Sequence, residues 1–200
     1  MSLQKCIIDD NGCKHDYIKQ VAQSAAIIHN TPISSTTDFQ ELDIPPYECW
    51  YEYFLSVPAL KDRIGDSLFK RLSQYIENNL NLISEIEKYK SVIHSDFRPA
   101  NMLVNNSDEV YFVDWEYACV GHSLADIGQF FRYTSYFTEN DRKLFETEYN
   151  KYTNKILPDN WFELARFRDL INPMQMIPYG HASSLRCQDL INVIDDIISK

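Results

Sequence analysis

Two hundred residues, 44% hydrophobic and 24% charged, suffice for one domain with a sizeable core and are too apolar for a disordered chain. The formal net charge of −10 argues against the clustered Lys and Arg that grip nucleic acid or anionic membranes, and it permits a cationic substrate. Five scattered cysteines with no Cys-x-x-Cys pair, no apolar run near the roughly 18 residues of a membrane span, and no signal-peptide pattern at the start predict a soluble cytoplasmic protein without disulfides or structural zinc.

In chain order, "LQKCII" reads as a strand-like run. "HDYIKQVAQSAAIIHN" places Tyr17, Ile18, Val21, Ala22, Ala25 and Ile28 at helical spacing. "TPISSTTDFQELDIPPYE" reads as a loop interrupted by Pro32, Pro45 and Pro46, and the aromatic residues 48–56 fit helix or strand. Leu60, Ile64, Leu68, Leu72, Ile76, Leu80, Ile83 and Ile86 step mostly by four and predict a long helical stretch, divided in two by Gly65. After the short apolar run "SVIH", Met102–Val104 and Val110–Val113 predict a β-hairpin around "NNSDE", whose Asn, Ser and Asp favour turns. Helices return after it. Ser123 with Asp126, and Thr138 with Asp141, have capping-box spacing. "DNWFELARFRDLI" predicts a helix stopped near Asn172-Pro173, and "SLRCQDLINVIDDIIS" predicts the last one. The expected fold is mainly α (α+β): a helical bundle whose small β-hairpin carries a polar loop.

That loop is "VIHSDFRPANMLV". His94, Asp96 and Asn101 form His-x-Asp-x-x-x-x-Asn, and Asp114 ends the hairpin's second strand. This is the layout of a kinase catalytic loop followed by a metal-binding Asp. Transfer of a phosphoryl group to a hydroxyl needs a carboxylate that orients the hydroxyl and takes its proton, a task for Asp96. It also needs Mg²⁺ on the phosphate oxygens. That ion takes hard oxygen ligands and keeps several waters, so Asn101 and Asp114 suffice from the protein. His94 would brace the loop. Glu116 could reach the metal or face solvent, while His15, His29 and His181 read as isolated structural or exposed residues.

"VIHSDFRPANMLV" followed by "VYFVDWEYACVGHSLADIG" resembles the core of the aminoglycoside phosphotransferase/choline kinase-like family, tightly over Val92–Gly128. The resemblance implies a protein-kinase-like C-terminal lobe. Within it Asp96 would be the base, Asn101 and Asp114 the Mg²⁺ ligands, and Asp126 a brace for the catalytic loop, although Asp126 could equally be a helix cap. Ser95 stands where the family usually has Gly, and His122 where it often has Asp. The expected domain is 1–200, with its catalytic core at 92–128 and its helical and substrate-binding parts at 31–88 and 129–200. Ser95 between His94 and Asp96, and only eleven residues between Asp114 and Asp126, favour a small-molecule hydroxyl over a peptide as acceptor.

ATP would be the donor, but the glycines at 12, 65, 121, 128 and 180 allow no Gly-x-Gly-x-x-Gly, and Lys5 is the sole lysine near a strand-like run. The N-terminal nucleotide lobe is therefore expected to be missing. The chain would be the catalytic and substrate lobe of an ATP/Mg²⁺-dependent phosphotransferase, or alternatively a non-catalytic remnant that binds a ligand or partner. Glu41, Asp43 and Glu48 could receive a cationic sugar or lie in a solvated loop.

Overall fold

The computed structural model describes residues 1–9, 12–35, 47–179 and 184–199, without the side chains of 35, 47, 48, 179 and 184. Its elements in chain order are α1 (Leu3–Asp9), α2 (Lys14–His29), α3 (Tyr47–Leu55), α4 (Pro58–Ile64), α5 (Asp66–Asn78), α6 (Leu82–Ile86), β1 (Lys90–Ile93), β2 (Met102–Val104), β3 (Val110–Phe112), β4 (Cys119–His122), α7 (Ser123–Phe130), α8 (Glu139–Tyr152), α9 (Trp161–Asp169), α10 (Ile171–Tyr179) and α11 (Ser184–Ile198). The chain is helix-rich with a small β element, as its composition and patterning predict. It divides into two compact units, Met1–Glu41 with Tyr89–Phe162, and Leu42–Lys88 with Glu163–Lys200.

The first unit carries the polar loop. Helix α2 buries Tyr17, Ile18, Val21, Ala22, Ala25, Ala26 and His29 along one face, and its alanines let α8 approach closely. Phe130, Phe131, Phe137, Phe145 and Trp161 form a ring cluster with neighbouring centroids 4.8–6.1 Å apart. Each such ring contributes about 2–3 kcal/mol by burial. Exposed ion pairs such as Lys19–Asp16 contribute at most about 1 kcal/mol, so the aromatic core dominates this unit. Helix α7 is buried along its whole length.

The strands form two separate antiparallel pairs. β2 and β3 make the expected hairpin, Met102 opposite Phe112. Its turn follows from Asn105, whose Oδ1 accepts the Ser107 and Glu109 N–H groups. Tyr17 donates to Asp108 Oδ1 at 2.6 Å and ties the turn to α2. The "SVIH" run pairs with β4 instead, Ile93 opposite Cys119. Gly121 permits this pairing: a Cβ there would lie 2.5 Å from Cδ1 of the buried Ile93.

In the second unit, Tyr51 packs on Phe167 at 4.8 Å and donates to its carbonyl at 2.9 Å. Residues 58–86 form three helices rather than two. Gly65, at φ 79°, ends α4 and starts α5, and Asn79–Asn81 separate α5 from α6. The aromatic run is helical up to Leu55. Two expectations are corrected. "LQKCII" is helical, burying Leu3, Cys6 and Ile7 at i, i+3 and i+4. Asn172-Pro173 does not stop a helix: α9 ends at Asp169, and Pro173 falls in the first turn of α10, where N–H groups need no helical acceptor. Most of the 31–48 loop, with Glu41, Asp43 and the Glu48 side chain, lies outside the described residues, as does His181.

Candidate active site

The polar loop leaves the buried end of β1 at His94 and returns to β2 at Asn101. Its backbone is clamped from α7. The His94 and Ser95 N–H groups donate to Asp126 Oδ2 and Oδ1 at 2.8 and 2.9 Å. One helical turn on, Gln129 accepts from Phe97 N–H at 2.6 Å and donates to Ser95 O at 2.8 Å. Ser123 makes no cap bond at the start of α7, so the capping-box geometry expected of Asp126 is absent and its carboxylate turns to the loop instead. The second predicted capping box is present: Thr138 accepts from Asp141 N–H, and Asp141 accepts from Thr138 N–H.

The clamp holds Ser95 at φ 70°, in the left-handed region that penalises any side chain. This is the position where the family pattern carries glycine. Ser95→Gly should stabilise the protein by about 1 kcal/mol, read as a higher denaturation midpoint, because glycine adopts this backbone without the Cβ penalty.

Asp96 follows the clamp. Arg98 Nε donates to its Oδ1 at 2.5 Å and Arg98 Nη2 to its Oδ2 at 2.8 Å, a bidentate pair. Asn101 Nδ2 reaches the same Oδ2 at 2.6 Å. Partial burial pushes the Asp96 carboxyl up, but the Arg98 pair and the Asn101 hydrogen bond outweigh it and hold its pKa below the usual carboxylate value. Asp96 Oδ1 keeps one lone pair for a further donor.

Asp114 lies just past β3 at φ 63°, ψ 54°, exposed, with no hydrogen bond or ion pair among the described residues. Two bonds stitch the strand end to the loop: Val113 N–H donates to Asn101 O at 3.1 Å, and His94 Nε2 donates to Val113 O at 2.8 Å. His94 Nδ1 then accepts Asp96 N–H at 3.3 Å, and its ring packs on Trp115. The folded chain thus brings Asp96 and Asn101 into direct contact. Asp114 joins them through its neighbour Val113, and His94 and Asp126 stand behind the loop. Asn101 has its Nδ2 engaged, which leaves Oδ1 as a hard oxygen donor, and among the described residues the Asp114 carboxylate has no competing partner. Among the described residues no three His, Cys, Asp or Glu groups converge on a cage. A cation at this edge would therefore take two protein oxygens and complete its shell with water, a pattern Mg²⁺ accepts. Glu116 is exposed in a short turn.

Three residues escaped the sequence reading. Arg98 was visible two positions after Asp96 but was given no role. Gln129 shares the face of Asp126 at i+3, which is the signal that could have found it. His29 is not isolated. It is buried against Asp126 and Tyr149, while His15 is largely exposed.

Residues 9–169 match the sequence model of the family described as choline/ethanolamine kinase. A curated relative, a LicA homolog from Metamycoplasma hominis, is 26% identical over 134 residues, 67% of this chain and 49% of its own length. The fold is similar to choline kinase LicA from Streptococcus pneumoniae (TM-score 0.64, 13% identity, 92% of this chain and 64% of that one). It is also similar to a Plasmodium vivax ethanolamine kinase (TM-score 0.57, 16% identity, 92% and 58%). A third likeness is to a spectinomycin phosphotransferase in complex with ADP and spectinomycin (TM-score 0.54, 17% identity, 92% and 65%). The chain spans about half the length of the curated relative and under two thirds of these solved chains.

Proposed function

Because this chain belongs to the choline/ethanolamine kinase family, we propose that it is the catalytic and substrate lobe of a phosphotransferase that moves the γ-phosphoryl group of ATP to the hydroxyl of a small amino alcohol of the choline or ethanolamine type. The observation that carries the reading is the Asp96 carboxylate, fixed by Arg98 and Asn101, with Asp114 linked to Asn101 through Val113 and without a partner among the described residues. The net charge of −10 suits a cationic acceptor. The family membership and the ADP bound in a solved relative support a nucleotide donor.

In this reading Asp96 Oδ1 accepts the acceptor's O–H, aims its oxygen at the phosphorus and takes its proton as the new P–O bond forms. A carboxyl held ionised by Arg98 is a weak base. That suffices for a loose transition state, in which orientation outweighs full deprotonation. Asn101 Oδ1 and the Asp114 carboxylate would hold Mg²⁺, which when bound neutralises phosphate charge. The donor's remaining contacts would come from a nucleotide lobe outside these 200 residues.

The test is ADP release by the intact protein containing this chain, with choline, ethanolamine and an aminoglycoside as acceptors. Turnover with an amino alcohol is expected. Acceptor binding by calorimetry without any ADP release would overturn the enzyme reading in favour of a binding module.

Arg98 also sets a pH dependence. Asp96 has a depressed folded-state pKa, so its ionised form, and the stability its ion pair lends, are present above the ordinary carboxylate range and are lost as pH falls through the folded value. In Arg98→Ala the strongest lowering influence is gone, and burial is opposed only by the Asn101 hydrogen bond and the Arg132 charge. The acidic limb of kcat/KM should therefore move to higher pH, and an unmoved limb would show that Asp96 is not the titrating group.

A further inference from the structure

The hairpin that presents Asn101 and Asp114 is short: Met102 lies opposite Phe112, Leu103 opposite Tyr111 and Val104 opposite Val110. A lone two-stranded ribbon is marginal in water, so its geometry depends on what grips it. The two strands are gripped differently. The outer edge of β2 pairs with backbone: Val104 N–H donates to Met1 O at 2.8 Å, and Ser2 bridges Leu103. Strand β3, which delivers Asp114, pairs among the described residues with no strand but β2.

The start of β3 is held from α2 instead. Gln20 uses both ends of its amide there. Its Oε1 accepts Val110 N–H at 3.0 Å, and its Nε2 donates to Asp108 O at 2.9 Å. One side chain thus takes the place of a neighbouring strand. One helical turn earlier on the same face, the buried Tyr17 donates to Asp108 Oδ1 at 2.6 Å. The Asp108 carboxylate and burial both raise the Tyr17 pKa, so its hydroxyl stays protonated and keeps donating. Asp108 itself sits at φ 59°, a left-handed backbone that a side chain penalises and that these bonds restrain. At the other end of the ribbon Val113 N–H donates to Asn101 O at 3.1 Å. Asn101 therefore follows β2 and Asp114 follows β3, and the way β3 lies along β2 sets the distance between them.

We propose that Tyr17 and Gln20 are positioning residues: by fixing the start of β3 on α2, they set the separation of Asn101 and Asp114 and so the geometry in which the two would hold Mg²⁺. The inference rests on the metal role proposed for Asn101 and Asp114. The bonds of Tyr17 and Gln20 are made to the hairpin's turn, so their loss should weaken cation binding and leave the acceptor KM in place.

The test uses Tyr17→Phe, Gln20→Ala, the two combined, and Asp108→Asn in the intact protein containing this chain. Mn²⁺ binding in the presence of ADP is titrated by electron paramagnetic resonance, amide exchange is measured at Val113, and turnover is followed against Mg²⁺ concentration. Neither Tyr17→Phe nor Gln20→Ala changes the net charge, so altered cation binding reports geometry. The double variant should bind Mn²⁺ about tenfold more weakly and need about tenfold more Mg²⁺ for half-maximal rate, the lower end of what a lost supporting contact costs a metal site. Its Val113 exchange should rise several-fold as the hairpin opens more often, while kcat at saturating Mg²⁺ stays near wild type. Each single variant should move the same way by less. Asp108→Asn keeps an acceptor for Tyr17 and tolerates the left-handed backbone, so it should bind Mn²⁺ like the wild type. Wild-type Mn²⁺ affinity in the double variant, with or without a lower Tm, would overturn the proposal, and so would wild-type exchange at Val113. Should the double variant fail to fold, the same two measurements on Gln20→Ala decide. A wild-type protein that binds no Mn²⁺ would sink the metal reading of Asn101 and Asp114 alone, because Val113 exchange would still decide whether α2 sets the hairpin.

Discussion

Asp96→Asn should lower kcat about 1,000-fold, within the range that a positioned general base supplies, while the KM for ATP stays within a factor of a few. The substitution changes almost nothing else. Asn keeps the shape and retains an oxygen for Asn101 or Arg98. The ion pair it weakens is partly exposed, so stability should change by less than about 1 kcal/mol. Loss of activity without loss of fold would separate chemistry from structure at this residue. Steady-state kinetics beside a denaturation curve read both quantities at once. If Asp96→Asn turns over at the wild-type rate, the base is elsewhere.

Asp126→Ala should have the opposite profile: a structural loss first, a kinetic loss as its consequence. The carboxylate satisfies the buried His94 N–H, the partly buried Ser95 N–H and His29. Alanine leaves all three donors without an acceptor in a site closed to water, at a cost of about 3–5 kcal/mol. For a chain of this length that corresponds to a fall in Tm of about 10 °C. A drop of less than about 1 kcal/mol by urea titration would mean that the loop is held by something other than α7. The contrast with Asp96 follows from burial alone: one carboxylate is partly exposed and paired with a flexible guanidinium, the other is sealed and paired with rigid backbone.

The polar loop was legible because its contacts are local. Asp96 and Asn101 are five residues apart and bond directly, and the hairpin that delivers Asp114 announces itself through Asn105 and its turn. What lay behind the loop was not legible. His29 meets Asp126 across 97 positions, and no periodicity in α2 distinguishes a histidine that bonds a carboxylate from one that merely packs. Ser123 and Asp126 had the spacing of a cap, yet the carboxylate turns to the two loop N–H groups instead. The family pattern's glycine at position 95 became meaningful only with a backbone angle, since φ cannot be read from a serine. Pro173 misled because proline stops a helix only from its interior, and the sequence did not say where α10 begins.

The central claim is phosphoryl transfer to a small amino alcohol, and ³¹P NMR tests it most directly. The intact protein is incubated with ATP, Mg²⁺ and choline or ethanolamine. A phosphomonoester resonance should grow in step with ADP for the wild type and be absent on the same timescale for Asp96→Asn. An acceptor that binds but yields no phosphomonoester, or a product that forms equally fast with Asp96→Asn, would contradict it.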